Sequence, residues 1–159
     1  MTAGRRQALE VLAASIAAVG GQGRQGRREI PAVLKRYAEA WLANDLKTIV
    51  ACYHDQFSLH YFGSNPLSGH HIGKAKALAV LAEFGRLTDR RLLSIVDIMA
   101  GAHRGAIVVR ERLGRAEAAT EVERMLLYRV QEGQFVECWV YDADQPLIDS
   151  LLSTPPERR

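Results

Sequence analysis

Between Leu92 and Tyr141 the chain runs through four strand-like stretches, Leu92–Met99, Ala106–Leu113, Glu121–Val130 and Phe135–Tyr141. The joints between them, AGAHRG, GRAEAAT and QEGQ, are short. Joints of that length fit hairpins, because a parallel pairing needs a crossover of a dozen residues or more. A hairpin-connected sheet must bury at least one face, and the sequence before it reads as helix. Pro31 suits a first helical turn, and Val33, Leu34, Tyr37, Ala40 and Trp41 recur at helical spacing. Asn44-Asp45 breaks that helix and can cap a short second one holding Leu46, Ile49, Val50 and Tyr53. A strand over Phe57–Phe62, the turn GSNPLSG, a helix from about His71 to Phe84 and a last short helix from about Gln145 to Leu152 complete the order. Helices first and hairpins later predict an α+β fold with one antiparallel sheet.

With 159 residues, 48% of them hydrophobic, the chain can build one sizeable core, so one domain is expected. We place it at residues 29–153, after a leading helix and Gly/Arg-rich linker (1–28) and before a short tail (154–159). In the leader, Leu9, Leu12, Ile16 and Val19 share a helical face. Arg5-Arg6 ahead of an apolar stretch has the outline of a twin-arginine export signal, but Glu10 interrupts it and no small-x-small cleavage site follows. The net charge of +3 comes largely from arginines near the ends, with no basic cluster inside the folded part, so no nucleic-acid partner is expected. No run approaches the ~18 apolar residues of a membrane span. Cys52 and Cys138 lack metal-ligand spacing and read as buried thiols in a reducing compartment, which points to the cytoplasm.

Three segments carry a resemblance: RYAEAWLANDLKTIVACYHDQF, HYFGSNPLSGHHIGKAKAL and VQEGQFVECWVYDADQPLID. Helix, short helix, strand, P-L-x-G, helix and a closing strand with W-x-Y-D is similar to the nuclear-transport-factor-2-like superfamily of SnoaL-like polyketide cyclases, over roughly residues 30 to 152. The resemblance implies a cone formed by a curved sheet against N-terminal helices, and a small-molecule pocket working without a cofactor. Members also include domains that only bind or dimerise. Against the ketosteroid isomerases, Tyr37 falls on the oxyanion-hole tyrosine, and His60, allowing a one-residue shortening, on the aspartate base. Their second oxyanion donor would fall near Leu126, which cannot donate. Against the limonene epoxide hydrolases, Arg112 falls on the family arginine, but its two aspartates fall on Gly114 and Val140. Without those carboxylates, epoxide hydrolysis has neither acid nor base.

The expected catalytic groups are therefore His60, Tyr37 and Asp142. Ser58, His60 and Phe62 share one strand face, and the resemblance turns that face into the pocket. Histidine titrates near neutrality and can take and return a proton, while a tyrosine hydroxyl can donate to a carbonyl oxygen. Asp142 can partner an arginine or His60. Trp41, Tyr53, Phe62, Arg110, Arg112 and Trp139 are the expected substrate contacts, with Trp139 equally able to belong to a dimer face. Arg110 and Arg112 point the same way and need a counter-charge such as Asp142 or Glu123. His70-His71 does not make a metal site, because adjacent side chains diverge and four ligands do not converge. Leu127, Phe135, Trp139 and Tyr141 are expected to cover the second sheet face in a homodimer. Two functions stay open: cofactor-free isomerisation, aldol cyclisation or dehydration of a small carbonyl or polyketide-like compound, or binding without catalysis.

Overall fold

The computed structural model describes residues 28–153. The expected leading helix, all of the expected linker but Arg28, and the expected tail fall outside the described residues. Helix α1 (28–42) buries Ile30, Val33, Leu34, Tyr37 and Ala38, the stripe that three- and four-residue spacing places on one face. Asn44, at φ 53°, ends it with paired closing bonds: its N–H donates to the Trp41 carbonyl at 3.1 Å, and the Asp45 N–H to Ala40 at 2.8 Å. Asp45 also caps α2 (Leu46–Ala51), accepting from the Thr48 N–H at 3.1 Å. The chain thus turns from one helix into the next without a spare residue. Helix α2 buries none of its residues completely.

Six strands follow or interleave: β1 (Tyr53–Tyr61), β2 (Gly69–Ile72), β3 (Arg91–Ala100), β4 (Arg104–Leu113), β5 (Thr120–Gln131) and β6 (Gln134–Asp142). They form one sheet in the order β2-β1-β6-β5-β4-β3. Helix α3 (Lys74–Thr88) lies between β2 and β3, and α4 (Gln145–Ser153) follows β6. The architecture is the expected α+β, with three local corrections. Tyr53 opens β1 instead of lying in the second helix, Gly69–Ile72 is a short edge strand, and β1 pairs with β6 in parallel. That parallel pair joins the hairpin from the first half of the chain to the meander from the second.

Alternation assigns the faces. Phe57, Leu59 and Tyr61 of β1 point to the helices together with Cys138 and Val140, Leu126 and Tyr128, and Ile107 and Val109, all buried. Tyr37, Tyr53, Tyr128 and Phe135 make the aromatic centre, with Tyr128 stacked on Phe135 at 4.0 Å and Tyr37 edge-on to it at 5.2 Å. Phe135, expected on the outer face, therefore belongs to this core. Gly105 lets α1 lie flush on the sheet: a Cβ there would overlap Leu34 and come within 2.7 Å of Ile30 Cγ2.

The segment around GSNPLSG is a β1–β2 connection pinned by α4. Asp149 accepts from the Ser64 N–H at 2.9 Å and from Asn65 Nδ2 at 2.6 Å. Gly63, at φ 101°, leaves the space those side chains occupy.

Candidate functional site

Between the helices and the inner face of the sheet lies a cavity of about 300 Å³, at the lower end of the ~300–1,000 Å³ range of small-molecule sites. Its walls are mostly apolar. Tyr37 and Trp41 come from α1, Leu46, Ile49 and Val50 from α2, Leu78 and Leu81 from α3, and Leu126 and Val140 from the sheet. Leu46 and Val50 remain 65% and 43% exposed, so α2 forms the rim.

One wall is ionic. Glu111 and Arg124 stand on β4 and β5 at inward positions, among Val109, Leu113, Val122 and Leu126. Glu111 Oε2 accepts from Arg124 Nη1 at 3.2 Å, and its Oε1 from Arg90 Nη1 at 3.2 Å. Arg124 also donates to both Asp142 oxygens and, at 2.9 Å, to the Tyr61 hydroxyl. The side chains of Glu111, Arg124 and Asp142 are 1%, 6% and 2% exposed. Burial works against the Arg124 charge, but Tyr61, Asp142 and Glu111 outweigh it and hold its pKa above the ordinary value. Arg90 is placed by the left-handed end of α3 at Asp89, φ 47°, and its guanidinium lies 5.3 Å from the Trp41 ring centroid.

The second polar feature is the phenol pair. The Tyr37 and Tyr53 hydroxyls are 2.6 Å apart. The buried Tyr128 hydroxyl bears on both of them and has no other partner among the described residues, so it adds a third phenol. Three hydroxyls bonded in a row retain one further proton to donate. Burial pushes the Tyr37 phenol up to about 12 and Tyr53 well above its ordinary value, so both remain neutral donors at physiological pH.

The structure brings together Tyr37, Trp41 and Tyr53 of the expected residues, with Asp142 behind Arg124. It does not bring His60 to them. Tyr61 and Leu59 are the inward residues of β1, and His60 lies on the outer face. There its Nε2 meets Glu137 Oε1 at 2.7 Å, and its ring stacks between His70 at 4.0 Å and Trp139 at 5.1 Å. Burial opposes the Glu137 charge, yet His60 and Arg129 bonded to it hold its carboxyl below the usual range. Trp139, with Arg104 over its ring at 4.4 Å, is on this outer face too. Phe62, expected to touch substrate, packs on Tyr141 at 5.1 Å and is 39% exposed.

Arg110 and Arg112 are also outward. Arg110 pairs with Glu123 at 3.5 Å, one of the expected counter-charges. The inward residue between the two arginines is Glu111; neither it nor Arg124 nor Arg90 is among the expected site residues. Carboxylates flanking an arginine are thus present after all, around Arg124 instead of Arg112. Of the two, Glu111 lines the cavity and Asp142 does not, so a second carboxylate facing the cavity is still missing for epoxide hydrolysis. Among the described residues, His60, His70 and Glu137 could face one metal ion, with ligand atoms within 4.8 Å of one another. The near-parallel histidine rings cannot both aim a lone pair at one ion without a rotation, and Arg129 Nε already holds Glu137 at 3.0 Å.

No helix among the described residues is long and apolar enough to cross a membrane. No curated protein matches the chain in sequence. Solved structures do match its fold. Bal32a, from a soil-derived mobile gene cassette, superimposes with a TM-score of 0.70 at 16% identity, over 80% of this chain and 98% of that one. A nuclear-transport-factor-2-like protein from Burkholderia xenovorans gives 0.64 at 18% identity, over 80% and 98%. TerC, crystallised with polyporic acid, gives 0.64 at 12%, over 76% and 95%. At such identities the likeness establishes the fold alone. The SnoaL-like domain family matches residues 34–138, the span from the cavity side of α1 to the middle of β6, and the chain belongs to that family.

Proposed function

We propose that the protein is a SnoaL-like enzyme that binds a small, largely apolar carbonyl or polyketide-like compound and moves a proton on it without a cofactor. The carrying observation is the cavity itself, apolar on most sides and ionic on one. An apolar ring system fits against Trp41, Ile49, Leu78 and Leu81, which turns its oxygen toward the polar groups. Tyr37 or Tyr53 donates the spare phenol proton to that oxygen, stabilising enolate character as it develops. Glu111 takes the place expected for His60 as proton acceptor. Each of its oxygens accepts one guanidinium bond, which leaves about two of its four lone-pair sites. Arg124, fixed by Asp142 and Tyr61, orients the carboxylate.

A second reading, binding without catalysis, is favoured by one observation: the ionic wall is hydrogen-bonded within itself before any ligand arrives. Exchange of the α-protons of 2-tetralone in deuterium oxide, followed by proton NMR, separates the two. The enzyme reading expects exchange faster than in buffer, with a loss of about two to four orders of magnitude of that acceleration in Glu111→Gln. His60→Gln should leave it intact. Binding of 2-tetralone with no acceleration would favour the binding domain, and hydrolysis of styrene oxide would redirect the Arg124 wall toward water activation. We also infer a homodimer through the outer face, where Leu127 and Trp139 lie opposite one another and Tyr141 is 41% exposed, and a cytoplasmic location from the two free, buried cysteines.

A further inference from the structure

We infer that the cavity selects an uncharged ligand and that Arg90 sets this selection. The inference rests on the cavity being the ligand site, as proposed above, and extends it to the charge of what binds. The charged side chains lining the cavity are Arg90, Glu111 and Arg124, and Asp142 closes the set from behind Arg124. Two guanidiniums face two carboxylates, and the phenols of Tyr37 and Tyr53 are neutral. The wall therefore carries no net charge before a ligand enters.

A carboxylate ligand would add an anion with no cation left over. Arg124 is enclosed by Asp142, Glu111 and Tyr61, and Arg90 already shares Glu111. An ammonium ligand would add an unmatched cation in the same way. A carboxylate taking unspent donors of Arg90 would still leave the wall with one negative charge in excess, and desolvating an unmatched charge is costly, whereas a neutral oxygen needs only a donor. Arg90 supplies one. Among the described residues its guanidinium makes a single hydrogen bond, to Glu111, out of five donors. Its side chain is 30% exposed beside Trp41, so the remaining N–H groups are within reach of a molecule in the cavity. A ketone, quinone or phenol oxygen can accept from them without upsetting the balance. Arg90 is thus a specificity-determining residue, acting by charge count and by its unspent donors.

The test uses three probes of similar shape, measured by calorimetry at pH 7: 2-acetylnaphthalene, naphthalene-2-carboxylate and naphthalen-2-ylmethylammonium. The wild type should bind the neutral ketone at least about tenfold more tightly than either ion. Arg90→Gln leaves the wall with one negative charge in excess. The ammonium probe should then gain about tenfold and the ketone should weaken. Arg90→Lys, which keeps the charge, should preserve the wild-type order, and it guards against a folding defect in the glutamine variant. Carboxylate binding as tight as ketone binding in the wild type would overturn the inference, as would an ammonium affinity unmoved by Arg90→Gln. If all three probes fail to bind, the cavity is not the ligand site and the inference falls with it. If the charge order holds while 2-tetralone exchange is not accelerated, the inference stands and only the enzyme reading is lost.

Discussion

Removing the Arg124 guanidinium should be among the most damaging single changes the domain can suffer. In Arg124→Met the apolar stem is roughly kept, but Asp142 loses its partner and Glu111 and the Tyr61 hydroxyl each lose a donor. Both carboxylates are almost wholly shielded from water, at 1% and 2% exposure. Breaking a buried pair by deleting one partner costs about 3–5 kcal/mol, because an uncompensated charge stays behind. Against a total stability of about 5–15 kcal/mol, and at about 2.1 cal/mol/K of unfolding entropy per residue, this corresponds to a fall in Tm of roughly 10–20 °C. Urea unfolding followed by circular dichroism and tryptophan fluorescence measures it, as a shift in midpoint at constant slope. The triple variant Arg124→Met, Glu111→Leu, Asp142→Leu provides the internal control. It removes the stranded charges as well, so it should recover much of the loss, while Arg90 keeps partial access to water. A single variant that loses less than about 1 kcal/mol, or a triple variant less stable than the single one, would refute the reasoning.

Tyr37→Phe should weaken 2-tetralone binding by about two- to tenfold, the share of one neutral hydrogen bond; calorimetry reads it. His60→Gln should reduce stability near neutral pH and converge on the wild type in acid. Glu137 has a depressed folded-state pKa, so the stability it contributes is present above its unfolded value and lost as pH falls through the folded one; melting curves from pH 3 to pH 7 test the sign. Gly105→Val should lift the start of α1 from the sheet and cost about 1–3 kcal/mol by overpacking against Ile30 and Leu34, read from the unfolding midpoint. Light scattering at micromolar concentration should give twice the monomer mass, and a monomer would contradict the outer-face interface.

The element order was legible because hairpin joints and helical periodicity are local properties. So was the place of Tyr37 and Trp41 in the cavity lining, since their apolar neighbours set the buried side of α1, whereas Tyr53 reaches the same cavity from β1 and not from the expected helix. The face of His60 is legible too, in the apolar residues that flank it. Alternation opposed His60 to Leu59 and Tyr61, and three large buried residues, Phe57, Leu59 and Tyr61, outweigh one histidine in choosing which side leaves water. The resemblance to an aspartate base turned the strand over. Glu111 and Arg124 carried a similar mark. Each shares parity with apolar residues, Ile107, Val109 and Leu113 in one case and Val122, Leu126 and Tyr128 in the other. A lone charge on an otherwise apolar strand face announces a buried pair. That Arg90 completes the set could not be read locally, because it depends on where α3 stops and how the following strand returns. The edge strand β2 was hidden for a related reason: four residues around two histidines carry no apolar alternation, and pairing with β1 defines them.

The parallel contact between β1 and β6 has a consequence for synthesis of the chain. His60 and Glu137 meet across it from 77 positions apart. Closing a loop of that length costs about 4 kcal/mol in chain entropy, roughly twice the figure for ten residues on the same scale. While the protein leaves the ribosome, β1 and β2 can pair with each other, but the long side of β1 has no neighbour until the last strand emerges. Tyr53 and Tyr61, on which the cavity depends, wait on that strand. Hairpins β3–β4–β5 can form in the meantime, so two half-sheets should precede one whole. A nascent chain stalled before Gln134 would display the unpaired edge of β1 and none of the assembled pocket, which makes this interval the one in which a chaperone or a protease has most to grip.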